Sequence, residues 1–297
     1  MNSFRLINPG SRDELFKALA EKGNAGTLIA GGTDLMPAFR KEKTAIPEFV
    51  ISLKSIPGLA VINQDGSRLN VGALATHSEV TESLLIQDKA KVLAEACDKV
   101  ASYQIRNLAT IGGNIANASP AADSVPALLV LDADIHLAGA GGDRVLKLEL
   151  FFTGPGQTIL ENQELIEKLS FAPLGKGEGA AFVKLGKRKA VTLSIVSAAA
   201  YVKLSPDLLV IDEVRIAMGS VAPTPLRIKS AEALLRGCDY KSINRADLHQ
   251  AVRSDIKPIK DVRSTAEYRL EVSGILVERA LKLAVERAQQ AAKGGQV

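Results

Sequence analysis

The chain has no tryptophan, and aromatic residues make up only 4% of its 297 positions. Aliphatic side chains must therefore fill its core. No dense basic run with interleaved aromatics occurs, which leaves nucleic-acid binding without support. Cysteine is limited to Cys97 and Cys238, far apart and outside any C-x-x-C pattern. That excludes a zinc site or an all-cysteine iron–sulfur cluster built from them; both are expected as reduced, buried thiols. No apolar run approaches the ~18 residues of a membrane span. The opening Met1-Asn2-Ser3-Phe4-Arg5 lacks the charged-then-apolar layout of a secretory signal. A soluble, cytoplasmic protein is expected. Charge of either sign is not in excess: 37 basic and 33 acidic residues give a formal net charge of +4. Such a weak positive field suits an anionic ligand without demonstrating one. Of the three histidines, His77 reads as a surface or helix-start residue, His136 as structural within a strand, and His249 as solvent-facing. No Ser/His/Asp arrangement points to hydrolysis.

Hydrophobic residues at 46% and charged residues at 24% describe an ordinary globular chain with material for a sizeable core. Its length suits one large domain or two to three smaller ones. Ser11 and Glu14 form a capping-box pattern ahead of the apolar face Leu15, Phe16, Ala18 and Leu19, and Gly23 suits the helix stop. Thr27–Ala30 reads as a buried strand, Phe49–Leu53 as another, and the first lobe ends near Ile56-Pro57-Gly58. A second lobe opens with the strand Leu69–Ala73, followed by helical patterns over His77–Leu85 and Asp88–Ala101. The strongly apolar Val125–Leu131 and a strand over Ala133–Leu137 come next. The glycine-rich Leu174–Gly179 marks a boundary. Beyond it lie strands over Ala198–Leu204 and Leu208–Met218, joined by Ser205-Pro206-Asp207, then helices near Ser230–Arg236 and Ser242–Arg253. A long helix over Glu267–Ala291 closes the chain. Only Gly274 weakens it, by about 1 kcal/mol relative to Ala.

Two glycine-glycine segments stand out: Ile29-Ala30-Gly31-Gly32-Thr33-Asp34-Leu35 and Thr110-Ile111-Gly112-Gly113-Asn114. Glycine allows positive φ and close backbone approach, and converging backbone N–H groups hold a phosphate well. Thr33, Thr110 and Asn114 add hydroxyl and amide donors, while Asp123 can accept from sugar hydroxyls. Neither segment carries the lysine of a P-loop. Gly139-Ala140-Gly141 runs on into Gly142, Asp143 and Arg144 and breaks a Rossmann fingerprint. One Gly-Gly pair alone is usually a turn. Together the two point to a dinucleotide diphosphate, FAD first among candidates, bound in a non-Rossmann manner. Lys184 also reads as ordinary surface charge, and Asp34 and Asp123 as turn or cap residues.

Ala30–Leu35 and Thr110–Asn114, with Ser119–Asp123, resemble the FAD-binding (medium) subunit of the xanthine dehydrogenase/carbon monoxide dehydrogenase family of molybdenum hydroxylases. Phe182–Ala190 and Gly219–Arg227 are similar to that family's later signatures, in the same order, so the resemblance spans nearly the whole chain. It implies an α+β (α/β) fold: a two-lobed vanillyl-alcohol-oxidase (PCMH)-type FAD-binding domain over residues 1–176, with lobes of about 1–56 and 57–176. A small α+β C-terminal domain over 177–297, ending in a disordered tail, follows. By position, Leu28, Ile29, Ala30, Gly31, Gly32, Thr33, Asp34 and Leu35 would wrap one side of the diphosphate. Thr110, Ile111, Gly112, Gly113 and Asn114 would wrap the other. Asp123 would bind the sugar-like hydroxyls, Val100 and Ile166 would lie against the flavin, and Lys184 would bring positive charge to its ring. No side chain is implied as catalytic and no metal is implied on this chain.

The implied function is that of an oxidoreductase subunit. It would take electrons from 2Fe-2S clusters on a small iron–sulfur partner, fed by a molybdenum–pterin centre on a large partner. It would pass them from FAD to an external acceptor (NAD, oxygen, a quinone or another carrier), the whole assembled as a dimer of heterotrimers. Thr192-Leu193 lacks the aromatic residue some relatives place by the flavin, and two cysteines rule out the extra cluster of others. A stand-alone flavin oxidoreductase of the same fold, or a non-catalytic assembly protein, are the alternatives.

Overall fold

The computed structural model describes residues 4–42, 44–188 and 192–294. The expectations resting on Met1–Ser3, on Lys189 and Ala190, and on the tail beyond residue 294 lie outside them. The fold mixes helices with four sheets among the described residues. A parallel sheet of Arg5–Ile7, Phe49–Ser52 and Gly26–Ile29 comes first, with Ile7 and Leu28 both opposite Ile51. The helix Arg12–Lys22 makes the crossover. Ser11 caps it by accepting from the Glu14 N–H, while the reciprocal bond to the Glu14 carboxylate comes from Gly10 rather than Ser11. Gly23, at φ 49°, ends it. Leu15, Ala18 and Leu19 pack with Ile51 onto Ala138 and Leu165, which ties the first lobe to the second.

The second lobe carries an antiparallel sheet in the order Ile62–Asp65, Arg68–Gly72, Glu164–Phe171, Asp134–Gly139, Arg144–Lys147. Short helices cover it. The two expected helical stretches are three: His77–Glu82, Leu84–Lys89 and Lys91–Asp98. Ser83 is the reason for the first break. Its extended backbone ends one helix while its hydroxyl accepts from the Ile86 N–H to begin the next. The apolar run after Asp123 is the helix Ser124–Val130, buried on every side, as an all-apolar helix must be.

A third sheet of Glu178–Leu185, Val196–Leu204, Ile211–Gly219 and Leu226–Arg227 is antiparallel throughout. Both of its faces are covered, so strand alternation divides its residues between two cores. Ala180, Phe182, Ala199, Tyr201 and Ala217 join the core of the second lobe. Ala181, Ala198, Ala200, Val202 and Met218 face the helix Ala266–Ala292. Small residues let that helix lie close: a Cβ on Gly179 would overlap the Ala284 carbonyl and the Ala288 N–H. Arg269, 1% exposed, anchors the helix by donating to the Ile195 and Ser220 carbonyls and pairing with Asp261. Gly274 has a packing role, because a Cβ there would lie 2.5 Å from the His249 ring. His249 is accordingly packed against that helix, not solvent-facing. Cys97 is buried, whereas Cys238 is half-exposed with its thiol directed at the Leu234 carbonyl. No helix among the described residues is long and apolar enough to cross a membrane.

Candidate functional site

A cleft of about 610 Å³ runs between the first lobe, the second lobe and the start of the third sheet region. Its size falls within the roughly 300–1,000 Å³ usual for small-ligand and cofactor sites. Leu28 through Leu35, Val100, Thr110, Gly112 through Asn114, Asp123 and Ile166 all line it. Two expected residues do not. Ile111 turns into the core of the second lobe with no exposed surface, and Lys184 lines a neighbouring, larger cleft. The two clefts share Ala101 and Thr192.

The first glycine segment leaves its strand and turns at Gly32, where φ is +68°. This left-handed conformation favours glycine. Gly31 is required for a different reason: a Cβ there would overlap the Leu108 carbonyl. The Gly32 carbonyl accepts from the Met36 N–H at 3.0 Å and opens the helix Leu35–Arg40. Among the described residues, no protein group accepts from the N–H groups of Gly31, Gly32, Thr33, Asp34 or Leu35. A run of backbone donors around a positive-φ residue is the nest geometry that holds anionic oxygens. The strand before it, Gly26–Ile29, is half-buried rather than buried, because its end lines the cleft.

The second segment is not a loop. It is the first turn of the helix Ile111–Ala116, capped by Thr110. Its backbone donors are already engaged: Ile111 N–H on Ala75 at 2.9 Å, Gly112 N–H on Ala73 at 2.8 Å, Gly113 N–H on the Thr110 hydroxyl at 3.1 Å, and Asn114 N–H on the Thr110 carbonyl at 2.9 Å. The expectation that these N–H groups converge on a phosphate is therefore corrected. Thr110 and Asn114 still line the cleft with their side chains, the Thr110 hydroxyl accepting from the Gly113 N–H and the Asn114 amide oxygen accepting from the Ser124 hydroxyl at 2.7 Å. Gly112 allows close contact with Ala73, whose Cβ would lie 2.5 Å from an added methyl. Gly113 faces across to Ala30, 3.8 Å from where its own Cβ would stand, so the two segments meet at the cleft.

Asp123 and Lys184 lie 61 positions apart and form an ion pair of 2.6 Å, with side chains 6% and 8% exposed. Ser194 donates to the same carboxylate, and Lys184 also donates to the Lys99 carbonyl at 2.7 Å. Burial pushes the Asp123 carboxyl above its ordinary value, while Lys184 and Ser194 pull it back. The sequence reading placed both residues near the cofactor separately. The fold joins them, fastening the third sheet to the helix Ser124–Val130 at the edge of the cleft. Ile166 is aimed by a register shift between Ile166 and Lys168, where Glu167 bulges out of the pairing with Asp134–Gly139.

His77 starts its helix, as the sequence reading allowed, but it is not a surface residue. It is fully buried and lines the cleft. Thr76 and Glu79 form a complete capping box that fixes it in the first turn of its helix, and its N–H donates to Ala109 at 3.0 Å. The capping pattern Thr76-x-x-Glu79 was a readable signal for the helix start. The burial comes from the isolated bridge between Thr76 and Thr110, distant in sequence. Leu165 and Leu160 also line the cleft without a local signal. Among the described residues, no group of three or more His, Cys, Asp or Glu side chains is placed to hold a metal.

The chain is similar to known proteins over most of its length. A family model described as the FAD binding domain in molybdopterin dehydrogenase matches residues 2–173. A second, the CO dehydrogenase flavoprotein C-terminal domain, matches residues 181–284. The carbon monoxide dehydrogenase medium chain of Hydrogenophaga pseudoflava is 32% identical over 96% of this chain and 98% of its own. The xanthine dehydrogenase FAD-binding subunit of Escherichia coli O157:H7 is 31% identical over 88% of this chain and 89% of its own. A solved structure of the Hydrogenophaga pseudoflava carbon monoxide dehydrogenase superimposes with a TM-score of 0.90 at 31% identity, covering 96% of this chain and 98% of that one.

Proposed function

The chain belongs to the FAD-binding medium-subunit family of molybdenum hydroxylases, and on that premise we propose that it is the flavin station of a three-part enzyme. It is an FAD-dependent oxidoreductase subunit of a multi-subunit complex. In the proposed assembly it receives electrons from 2Fe-2S clusters on a small partner and releases them to an external acceptor. Substrate oxidation takes place at a molybdenum–pterin centre on a large partner, and the whole forms a dimer of heterotrimers. Residues 1–176 form the cofactor domain in this reading, and residues 177–297 the C-terminal domain.

The observation that carries the cofactor reading is the nest of unengaged N–H groups from Gly31 to Leu35, opening onto a cleft of about 610 Å³. When bound there, FAD supplies the redox chemistry. The chain's own residues bind and orient. Gly31–Leu35 present backbone donors to one side of the diphosphate. Thr110 and Asn114 present a hydroxyl and an amide to the other. Asp123, held in place by Lys184 and Ser194, presents its carboxylate edge to the sugar-like hydroxyls. Val100 and Ile166 give the ring an apolar bed, and Leu193, 64% exposed, stands at the mouth where some relatives carry an aromatic. The Lys184 charge acts from behind Asp123, so its effect on the ring is exerted through a neutralised pair.

Reconstitution of the purified chain with FAD tests this directly. The expected result is one flavin per chain with a flavoprotein visible spectrum. Co-purification of iron–sulfur and molybdenum partners is expected from the native source. A colourless chain that takes up no FAD would support the non-catalytic alternative. An active lone chain would support the stand-alone oxidoreductase.

A further inference from the structure

Asp123 lines the cleft with 5% of its surface exposed, and each of its carboxylate oxygens already has a donor. Lys184 holds Oδ2 at 2.6 Å, and the Ser194 hydroxyl holds Oδ1. Donors on both oxygens fix the plane of a carboxylate, and each oxygen keeps a second lone-pair site for a further donor. Ser194 has no exposed surface, so the aim of its hydroxyl depends on where its backbone is held. Its carbonyl accepts twice, from the Ser220 hydroxyl at 3.2 Å and from Nη1 of Arg263 at 3.2 Å. Ser220 also ties in the turn before Asp123, since its N–H donates to the Pro120 carbonyl at 2.7 Å. It does so at φ +64°, a left-handed conformation that a serine holds only where its surroundings impose it.

Arg263 belongs to a turn on the far side of this serine pair. Asp261 Oδ2 accepts from its Nε at 2.8 Å and its Nη2 at 2.5 Å, while Oδ1 accepts from the Arg263 N–H at 2.8 Å and from Arg269 Nη2 at 2.7 Å. The Val262 carbonyl of the same turn accepts from Lys187 at 3.0 Å. Lys187 and Ser194 lie at the two ends of the connection between the strands Glu178–Leu185 and Val196–Leu204, and Thr192 and Leu193 within it line the cleft. The turn is thus a strap across the open end of this hairpin. Arg269 anchors the long helix through other carbonyls, those of Ile195 and Ser220. The Arg263 side chain, 27% exposed, bonds among the described residues to Asp261 and Ser194 alone.

Resting on the FAD reading above, we propose that Arg263 is a positioning residue for the cofactor site. By holding the Ser194 carbonyl it aims the Ser194 hydroxyl at Asp123, and so sets the carboxylate edge that accepts from the cofactor's sugar-like hydroxyls. Asp261 orients the guanidinium for that contact. Arg263 itself touches no ligand, and its influence on the cleft passes through one hydroxyl.

Two side chains separate this role from a merely structural one. Glutamine places its amide nitrogen at the position of Nε, so Arg263→Gln keeps a donor for Asp261 and loses the bond to Ser194. Lysine carries a charged donor out to the position of the guanidinium carbon. FAD affinity of the full chain is measured by flavin fluorescence quenching for the wild type, Arg263→Gln, Arg263→Lys, Ser194→Ala and the Arg263→Gln/Ser194→Ala double variant. Arg263→Gln and Ser194→Ala should each bind FAD about tenfold more weakly, and Arg263→Lys within about threefold of wild type. The double variant should bind within about twofold of the weaker single one, because both changes act through the same hydroxyl. Arg263→Gln binding as tightly as wild type, Arg263→Lys binding as weakly as Arg263→Gln, or losses that multiply to about a hundredfold in the double variant would each overturn the proposal. Should Arg263→Gln fail to fold, Asp261→Asn takes its place. It keeps an oxygen for the Arg263 N–H and Arg269 but turns an amide toward the Arg263 guanidinium, and unchanged FAD affinity there would likewise overturn the proposal. A wild-type chain that takes up no FAD would instead overturn the cofactor reading on which the proposal stands.

Discussion

The two glycine segments carry the same Gly-Gly pair and line the same cleft, yet their backbones do opposite things. Gly31 through Leu35 leave their N–H groups without protein acceptors around a positive-φ turn at Gly32. Ile111 through Asn114 have theirs engaged by Ala73, Ala75 and Thr110. In the proposed reading the first segment is a binding element in which Gly31 serves packing. The second is a packing element in which Gly112 fits against Ala73 and Gly113 looks across the cleft to Ala30. Glycine in a suspected binding motif therefore has two distinct uses. One is access for a ligand and the other is contact between protein segments, and only the surroundings of the missing Cβ tell them apart.

Valine substitutions break the comparison most strongly. Gly32→Val and Gly113→Val should abolish FAD retention while far-ultraviolet circular dichroism stays native. The first forces a β-branched residue into positive φ, and the second crowds the Thr110 hydroxyl, 2.9 Å from the new Cβ, and fills the cleft on the side that faces Ala30. Flavin absorbance per chain measures the loss, and normal occupancy in both would remove the basis for the loop assignment. Gly31→Val and Gly112→Val should act on stability instead. Their new side chains meet the backbone of Leu108 and of Ala73, and the cost should reach about 3 kcal/mol or more in urea unfolding.

Acid should loosen the second segment more than the first, because His77 is fastened to Ala109 at its start. The folded-state imidazole is lowered by burial to about 4, below its ordinary value of 6.5, so folding favours the neutral ring. The stability this gives is complete above pH 6.5 and is lost as pH falls through 4. The difference is roughly 3 kcal/mol, readable as a drop in unfolding free energy between pH 7 and pH 4 that His77→Gln should flatten. The smallest effect is expected at the cap. Thr110→Ala removes the acceptor for the Gly113 N–H and should cost about 1 kcal/mol, with some loss of FAD affinity. A change of the same size in affinity but none in stability would reverse the roles assigned to the two segments.

Much of this was legible in the sequence. Ser11 and Gly23 announced the ends of the first helix through local capping chemistry, and the long helix Ala266–Ala292 followed from its apolar periodicity. The family resemblance marked the cleft-lining residues by motif, and nearly all of them face one cavity. Other features resisted. The second glycine segment gave no sign of being helical, because two glycines in one turn oppose helix propensity. Its helix persists through the Thr110 cap and the fit against Ala73. Gly274 read as a weak point and proved to be the seat of His249. His77 and Cys97 were assessed singly, and nothing in a linear pattern pairs them.

The amino-acid sequence by itself determined the first helix with its cap and stop, several of the strands, the long closing helix, the absence of metal-binding cysteine patterns, and membership of a flavoprotein family. These rest on interactions within a few residues or on motifs read in order. Tertiary structure alone decided which glycine turns at positive φ beside the cleft and which admits a neighbouring segment, that Asp123 and Lys184 neutralise each other, and that His77 is buried against Cys97. Burial and charge pairing depend on groups brought together from distant parts of the chain, and these are set only when the lobes close on one another.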